Sequence, residues 1–250
     1  MYHFFVDEDQ IRGESAYITG SDVNHIVNVL RMKIGEELLI SVKGEWDYLC
    51  KIAKISDDKV KLDIIESMEG RELPVKITLL QGLPKFDKLE LIIQKCVELG
   101  VSEIIPVKTK RSVVKIEDKK VRTKFERWNT IAKSAAKQSK RSIIPIVKEP
   151  LSFKEALESV SDFKVKLLPY ENALGIKKTR EILNSLSADG DIVVFIGPEG
   201  GFEEAEVTAA KESGFNDITL GKRILRCETA GLALLSNIMI RLEEENGSIF

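Results

Sequence analysis

Ile192-Val193-Val194-Phe195-Ile196 is an unbroken apolar run that ends at Gly197. A strand without polar alternation must be covered on both faces, which a parallel sheet between helical layers achieves and a half-wet antiparallel sheet does not. The chain from Pro74 onward has the matching rhythm. Val75 to Leu80, Ile104 to Val107, Val165 to Leu168 and Ile218 to Leu220 read as further strands. Between them, Asp87 with Glu90 forms a capping pattern before Leu89, Ile92, Ile93 and Cys96, and Gly100 ends that helix. Thr123 with Glu126 opens a second helix through Trp128 and Ala135, and Ser152 with Glu155 a third. Ile176 to Leu186, Glu203 to Ser213 and Thr229 to Glu245 complete the helices. An α/β domain with a parallel sheet is expected over residues 74–250.

The first 70 residues differ. Leu38 to Val42, Tyr48 to Ile52 and Val60 to Ile65 are short strands separated by Gly44 and Asp57-Asp58, with one helix from Ser21-Asp22 to Leu30. A small β-barrel is expected over 1–70, with a boundary in the polar stretch before Pro74. No apolar run reaches the ~20 residues of a membrane span, and no basic region followed by a long apolar one opens the chain. Cys50, Cys96 and Cys227 are odd in number and widely spaced, and His3 and His25 are the only histidines. Disulfide frameworks, metal sites and Ser-His-Asp chemistry are therefore poorly supplied, and a reducing, cytoplasmic setting is expected.

A net charge of −2 conceals segregation. Lys108 to Lys148 holds fourteen Lys or Arg and three acids, a balance of +11, leaving −13 elsewhere. Such a block is the footprint of polyphosphate binding, or else a solvated helix face with a charged loop. Trp128 and Phe125 within it have helical spacing and read as core rather than base-stacking residues.

Two bends carry chemistry. Gly197-Pro198-Glu199-Gly200-Gly201 follows the strongest strand and precedes a helix, where ligands of open α/β sheets bind. No Gly-Lys-Ser/Thr follows, so it is not a phosphate-binding P-loop. Alone, it reads more readily as a tight turn capping the Glu203 helix than as a ligand site. Leu220-Gly221-Lys222-Arg223-Ile224-Leu225-Arg226-Cys227-Glu228-Thr229-Ala230-Gly231 follows the last strand. It mixes cations, a carboxylate and apolar residues, suiting backbone recognition of a planar heterocycle; the alternative is a charged connector with Thr229 capping the last helix.

Together these bends resemble the two signature loops of the RsmE family, the 16S ribosomal RNA uracil-N3 methyltransferases of the SPOUT (knotted) superfamily. The similarity continues in Gln81-Gly82-x-Pro84-Lys85, Gln94-Lys95-x-x-Glu98-Leu99-Gly100-Val101, Thr109-x-Arg111-Ser112, and Glu126-Arg127-Trp128 through Ala135-Ala136-x-Gln138-Ser139. His25 and Val29-Leu30-Arg31 before Gly35 are similar to that family's PUA-like RNA-binding domain. His3 stands where many members have Arg, and Ser134 where Glu is frequent.

The resemblance implies a PUA-like β-barrel over 1–70 and a SPOUT methyltransferase domain over 74–250, with a trefoil knot and the cofactor site within 196–245. It further implies S-adenosylmethionine as cofactor, a homodimer, 16S ribosomal RNA or the small ribosomal subunit as partner, and neither metal nor membrane. The cofactor residues carried over are Leu168, Pro169, Ile196, Gly197, Gly200, Gly201, Leu220, Gly221, Ile224, Leu225, Arg226, Thr229 and Ala230. Arg226, Glu228 and Arg111 are the catalytic candidates, with Glu228 either accepting a proton or orienting Arg226. Arg31, Lys85, Lys110, Arg111, Lys137, Lys140 and Arg141 are the candidates for RNA contact. Related knotted enzymes act on transfer RNA or ribose 2′-oxygens, and a non-enzymatic ribosome-assembly factor is the alternative of another class.

Overall fold

The computed structural model describes every residue except 43, 45, 86–87, 113–117, 174, 189 and 246–250, and no side chains at 118–121 or 244–245. In chain order the elements are β1 (Tyr2–Phe5), β2 (Ile11–Arg12), β3 (Ser15–Thr19), α1 (Ser21–Asn24), β4 (Glu37–Val42), β5 (Trp46–Ile55) and β6 (Lys59–Glu69). Then follow β7 (Ile77–Gly82), α2 (Lys88–Glu98), β8 (Glu103–Lys108), α3 (Asp118–Ser139), β9 (Ile146–Val147), β10 (Leu151–Ser152) and α4 (Phe153–Ser159). The chain closes with β11 (Val165–Pro169), α5 (Ile176–Asn184), β12 (Ile192–Ile196), α6 (Glu204–Glu212), β13 (Asn216–Ile218) and α7 (Cys227–Glu245).

These elements form two compact units. The first comprises Met1–Glu72 with Ala136–Ile144, the second Leu73–Ala135 with Pro145–Phe250. In the first, six strands run in the order β1-β4-β5-β6-β3-β2, antiparallel apart from β1 on β4. Alternating residues, among them Phe4, Ile18, Leu38, Ile40, Ile52 and Leu62, fill its core. The helix expected from Ser21 to Leu30 is capped by Gly20 and changes after Asn24 to a π-helical stretch, His25–Val29. His3 is buried and shares a hydrogen bond of 2.7 Å with Ser41, whose hydroxyl donates to buried Asp47.

In the second unit all strand pairs are parallel, in the order β10-β8-β7-β12-β11-β13, with β9 also on β8. β12 is central and buried throughout, as its unbroken apolar run requires. α2 buries Leu89, Ile92, Ile93, Cys96 and Val97 on one face and closes at left-handed Gly100, where Val101 N–H returns to Cys96 C=O. The Ser152–Glu155 capping box opens α4, whereas Asp87, its expected counterpart in α2, lies outside the described residues.

Three boundaries differ from expectation. α3 begins at Asp118 rather than Thr123, because the intervening lysines and arginine favour helix. β13 ends at Ile218, since Thr219 exchanges its backbone bonds with the Thr179 hydroxyl, both 3.1 Å, instead of continuing the ladder. α7 begins at Cys227, so Thr229 lies inside its first turn and Arg226 C=O accepts the Ala230 N–H. Leu234, Leu235, Ile238 and Leu242 of α7 are buried within their own unit.

Candidate functional site

The carboxyl ends of β7, β11 and β12 face the same edge of the sheet, the place where α/β folds bind ligands. There the backbone of two strands comes unusually close. A Cβ on Gly82 would lie 2.6 Å from Pro198 Cδ, so only glycine permits β7 and the 197–201 bend to approach. Gln81 donates to the Gly82 and Gly197 carbonyls at 3.0 and 3.4 Å, fixing the bend's first residue. The second bend turns at Gly221, whose φ of +116° is a backbone region that L side chains rarely adopt.

Between the bends lies a cavity of about 340 Å³. Of the residues expected around a cofactor, Pro169, Ile196, Gly197, Gly201, Leu220, Gly221, Ile224, Leu225, Arg226 and Ala230 line it. Leu168, Gly200 and Thr229 do not. Leu168 points into the core between sheet and helices, as period-two alternation next to Pro169 dictates. Gly200 abuts the Arg111 side chain, and Thr229 is exposed on α7.

The wall also holds residues that sequence reasoning passed over, chiefly Lys88, Tyr170, Glu171, Glu199 and Cys227. Glu199 sits inside the Gly-Pro-Glu-Gly-Gly motif, where sequence alone gives it no role beyond the bend. Lys88 lies three residues beyond Lys85 of another quoted motif. Glu199 accepts the Lys85 backbone N–H at 3.0 Å and the Lys88 ammonium at 3.1 Å. Lys88 also stands 3.6 Å from Glu228, which accepts from the Cys227 thiol at 3.1 Å.

The electrostatics follow from these contacts. Burial alone would raise the Glu199 carboxyl, but the Lys85 amide and the Lys88 ammonium outweigh it and hold the group below the ordinary glutamate range. Glu228 behaves alike, with its own backbone N–H at the α7 terminus, the Cys227 thiol and Lys88 opposing burial. The hydrogen bond to Glu199 raises Lys88 in turn, so it stays an ammonium. Burial, then the Glu228 contact, pushes the Cys227 thiol up to about 12.

Arg111 lies off the cavity wall. Its guanidinium donates to Gly200 C=O at 2.9 Å, while the preceding Lys110 N–H donates to buried Glu206 at 2.9 Å. Lys85, Lys110, Arg31 and Lys140 are exposed; Lys137 is half-buried, 3.2 Å from Asp22 and over the Phe4 ring. Arg141 corrects the expectation of an RNA contact. It is buried, paired with Glu72, whose other bonds come from the Ser142 and Ile143 amides, so its charge is already used. The block of positive charge is likewise smaller in space than along the chain. Arg127, Lys137, Arg141 and Lys148 each take an acid from outside it: Glu90, Asp22, Glu72 and Glu103. Trp128 is buried, as its spacing indicated. Among the described residues no cluster of His, Cys, Asp and Glu has the makings of a metal site, and no helix is long and apolar enough to cross a membrane.

Comparison with known proteins adds three findings. Residues 71–239 match the family described as an RNA methyltransferase domain, and residues 18–65 the RNA methyltransferase PUA domain. The ribosomal RNA small subunit methyltransferase E of Bacillus subtilis is 41% identical, over 97% of this chain and 98% of that protein. A crystal structure of the corresponding Neisseria gonorrhoeae protein bound to S-adenosyl methionine superposes with a TM-score of 0.82. It is 30% identical, covering 96% of this chain and 97% of that one.

Proposed function

Because the chain belongs to the ribosomal RNA small subunit methyltransferase E family of RNA methyltransferases, we propose that it transfers a methyl group from S-adenosylmethionine to N3 of a uridine in 16S ribosomal RNA. The observation that carries this reading is the meeting of both glycine-containing bends around one cavity at the sheet's carboxyl edge.

The cavity suits that cofactor. Its volume of about 340 Å³ falls in the small-molecule range. Ile196, Leu220, Ile224 and Leu225 supply apolar walls for a heterocycle, and Ile224 is 83% exposed, an uncovered apolar side chain on the rim. Among the described residues, the backbone of Lys222 to Leu225 makes no hydrogen bond within the protein, so its N–H and C=O groups are available to a ligand. S-adenosylmethionine supplies an electrophilic methyl carbon when bound.

The chain's own residues do the rest. Methylation at N3 requires an unpaired or flipped uracil, because that edge is hidden in a duplex. Loss of the N3 proton to solvent water leaves negative charge on the flanking carbonyl oxygens. Arg226, on the cavity wall at the entry to α7, stabilises that charge as it develops. Arg111 holds the first bend through Gly200. Residues 1–70 serve as the RNA-binding domain and 74–250 as the methyltransferase domain, with 196–245 knotted and the active species a cytoplasmic homodimer. The exposed cations Arg31, Lys85, Lys110 and Lys140 contact the RNA backbone.

The decisive comparison is of nucleosides from 16S ribosomal RNA of cells with and without the protein. Loss of N3-methyluridine on deletion, restored by the wild-type chain but not by Arg226→Ala, is expected. An unchanged nucleoside profile overturns the assignment, and methylation lost instead from transfer RNA moves the target.

A further inference from the structure

We propose that Lys88 is the positioning residue that couples the two bends of the donor pocket, and that Glu228 anchors Lys88 instead of accepting the substrate's proton. The inference rests on the reading of the pocket as an S-adenosylmethionine site.

Three ions stand together, Lys88 and Glu199 on the pocket wall and Glu228 beside Lys88, each on a different segment. Lys88 begins α2, Glu199 lies in the first bend, and Glu228 is in the first turn of α7, directly after the second bend. The ammonium is 3.1 Å from Glu199 and 3.6 Å from Glu228. Glu199 also receives the Lys85 amide with both its oxygens, at 3.0 and 3.2 Å. Among the described residues, the connection from β7 to α2 is therefore tied twice to the first bend and, through Lys88, to the start of α7. No hydrogen bond or ion pair joins Glu228 to Arg226 among the described residues, so the carboxylate does not orient that arginine.

Chemistry points the same way. Proton abstraction from an imide at neutral pH favours a base whose affinity for protons has been raised. Glu228 is shifted in the opposite direction, with the Cys227 thiol and the Lys88 ammonium both directed at one of its oxygens. Such a carboxylate is a persistent anion, suited to holding a cation in place. The three side chains keep 30%, 26% and 18% of their surface, and ion pairs this open add little to global stability. Their value lies in geometry, because a displacement of about 1 Å near a reacting centre can cost ~100-fold in rate.

The test is a titration of the full chain with S-adenosylmethionine by calorimetry, alongside thermal melting. Lys88→Ala is expected to weaken donor binding at least tenfold with little change in Tm, and Lys88→Arg to bind within about threefold of wild type. Glu228→Gln is expected to weaken binding too, and Lys88→Ala/Glu228→Gln to bind no more weakly than Lys88→Ala alone, since both remove one tie. Donor affinity unchanged in Lys88→Ala overturns the inference. So does a Glu228→Gln protein that binds donor normally while kcat falls 100-fold or more, the signature of a lost base. A wild-type chain that binds no donor refutes the function proposed above and not merely this coupling.

Discussion

Arg31 and Lys140 are the only non-glycine residues with left-handed backbone among the described ones, at φ of 55° and 56°. Each follows a helix end where glycine is the usual occupant: Met32 N–H returns to Ile26 C=O and Arg141 N–H to Ala136 C=O, both at 3.0 Å. An L-residue in this region costs about 1.5 kcal/mol, of which glycine would return about 0.7 kcal/mol through its looser unfolded state. Replacing both by glycine should thus stabilise the protein by about 1.5 kcal/mol, or roughly 3–6 °C in Tm. Neither side chain has a hydrogen bond or ion pair among the described residues, so no tertiary tie requires arginine or lysine over glycine at these helix ends. RNA contact does. Losing two phosphate contacts should reduce the slope of log affinity against log salt by about 0.7–0.9 each, and affinity by roughly fivefold each at 0.1 M salt. Thermal melts, together with anisotropy titrations of a 16S RNA fragment at several salt concentrations, measure both effects on one double variant, Arg31→Gly/Lys140→Gly. A lower Tm would refute the strain argument, and a higher Tm with unchanged RNA affinity would refute the functional one.

Other substitutions probe other links. Gly82→Ala sets a methyl 2.6 Å from Pro198 Cδ and should cost about 1–3 kcal/mol in denaturant unfolding while impairing donor binding in the folded fraction. Arg141→Ala leaves Glu72 without its buried partner and should cost about 3 kcal/mol, with RNA affinity per folded molecule unchanged. Burial first, then Lys137 and Arg71, lowers His3 to about 4. The unfolded chain therefore binds that proton first, and stability should fall as pH drops from 6.5 towards 4, by at most about 3 kcal/mol. His3→Gln should flatten that part of the melting-versus-pH curve, and an unchanged curve would contradict the assignment.

What could be read from the sequence was local. β12, the Gly100 terminus of α2 and the Ser152–Glu155 box rest on patterns within a few residues, and each appears as expected. The first bend is marked by its glycines and the second by Gly221 and a cluster of cations. The parts that stayed hidden depend on partners far along the chain. Arg141 meets Glu72 across 69 residues, and the Lys85 amide meets Glu199 across 114. No periodicity announces such pairs, so neither the partial neutralisation of the basic stretch nor the pairing of Lys88 with Glu199 has a signature in the sequence. Thr219 likewise left the β13 ladder for a hydroxyl 40 residues away. The knot implied by the resemblance has no local signature either, since chain threading is a global property.

The central claim is that the two bends hold the methyl donor between them. A crystal of this chain grown with saturating S-adenosylmethionine measures it directly. Density for the donor should lie between Ile196–Gly201 and Leu220–Leu225, with its heterocycle bonded to backbone groups of the second bend. Donor bound anywhere else, or a cavity still empty at saturation, would contradict the account.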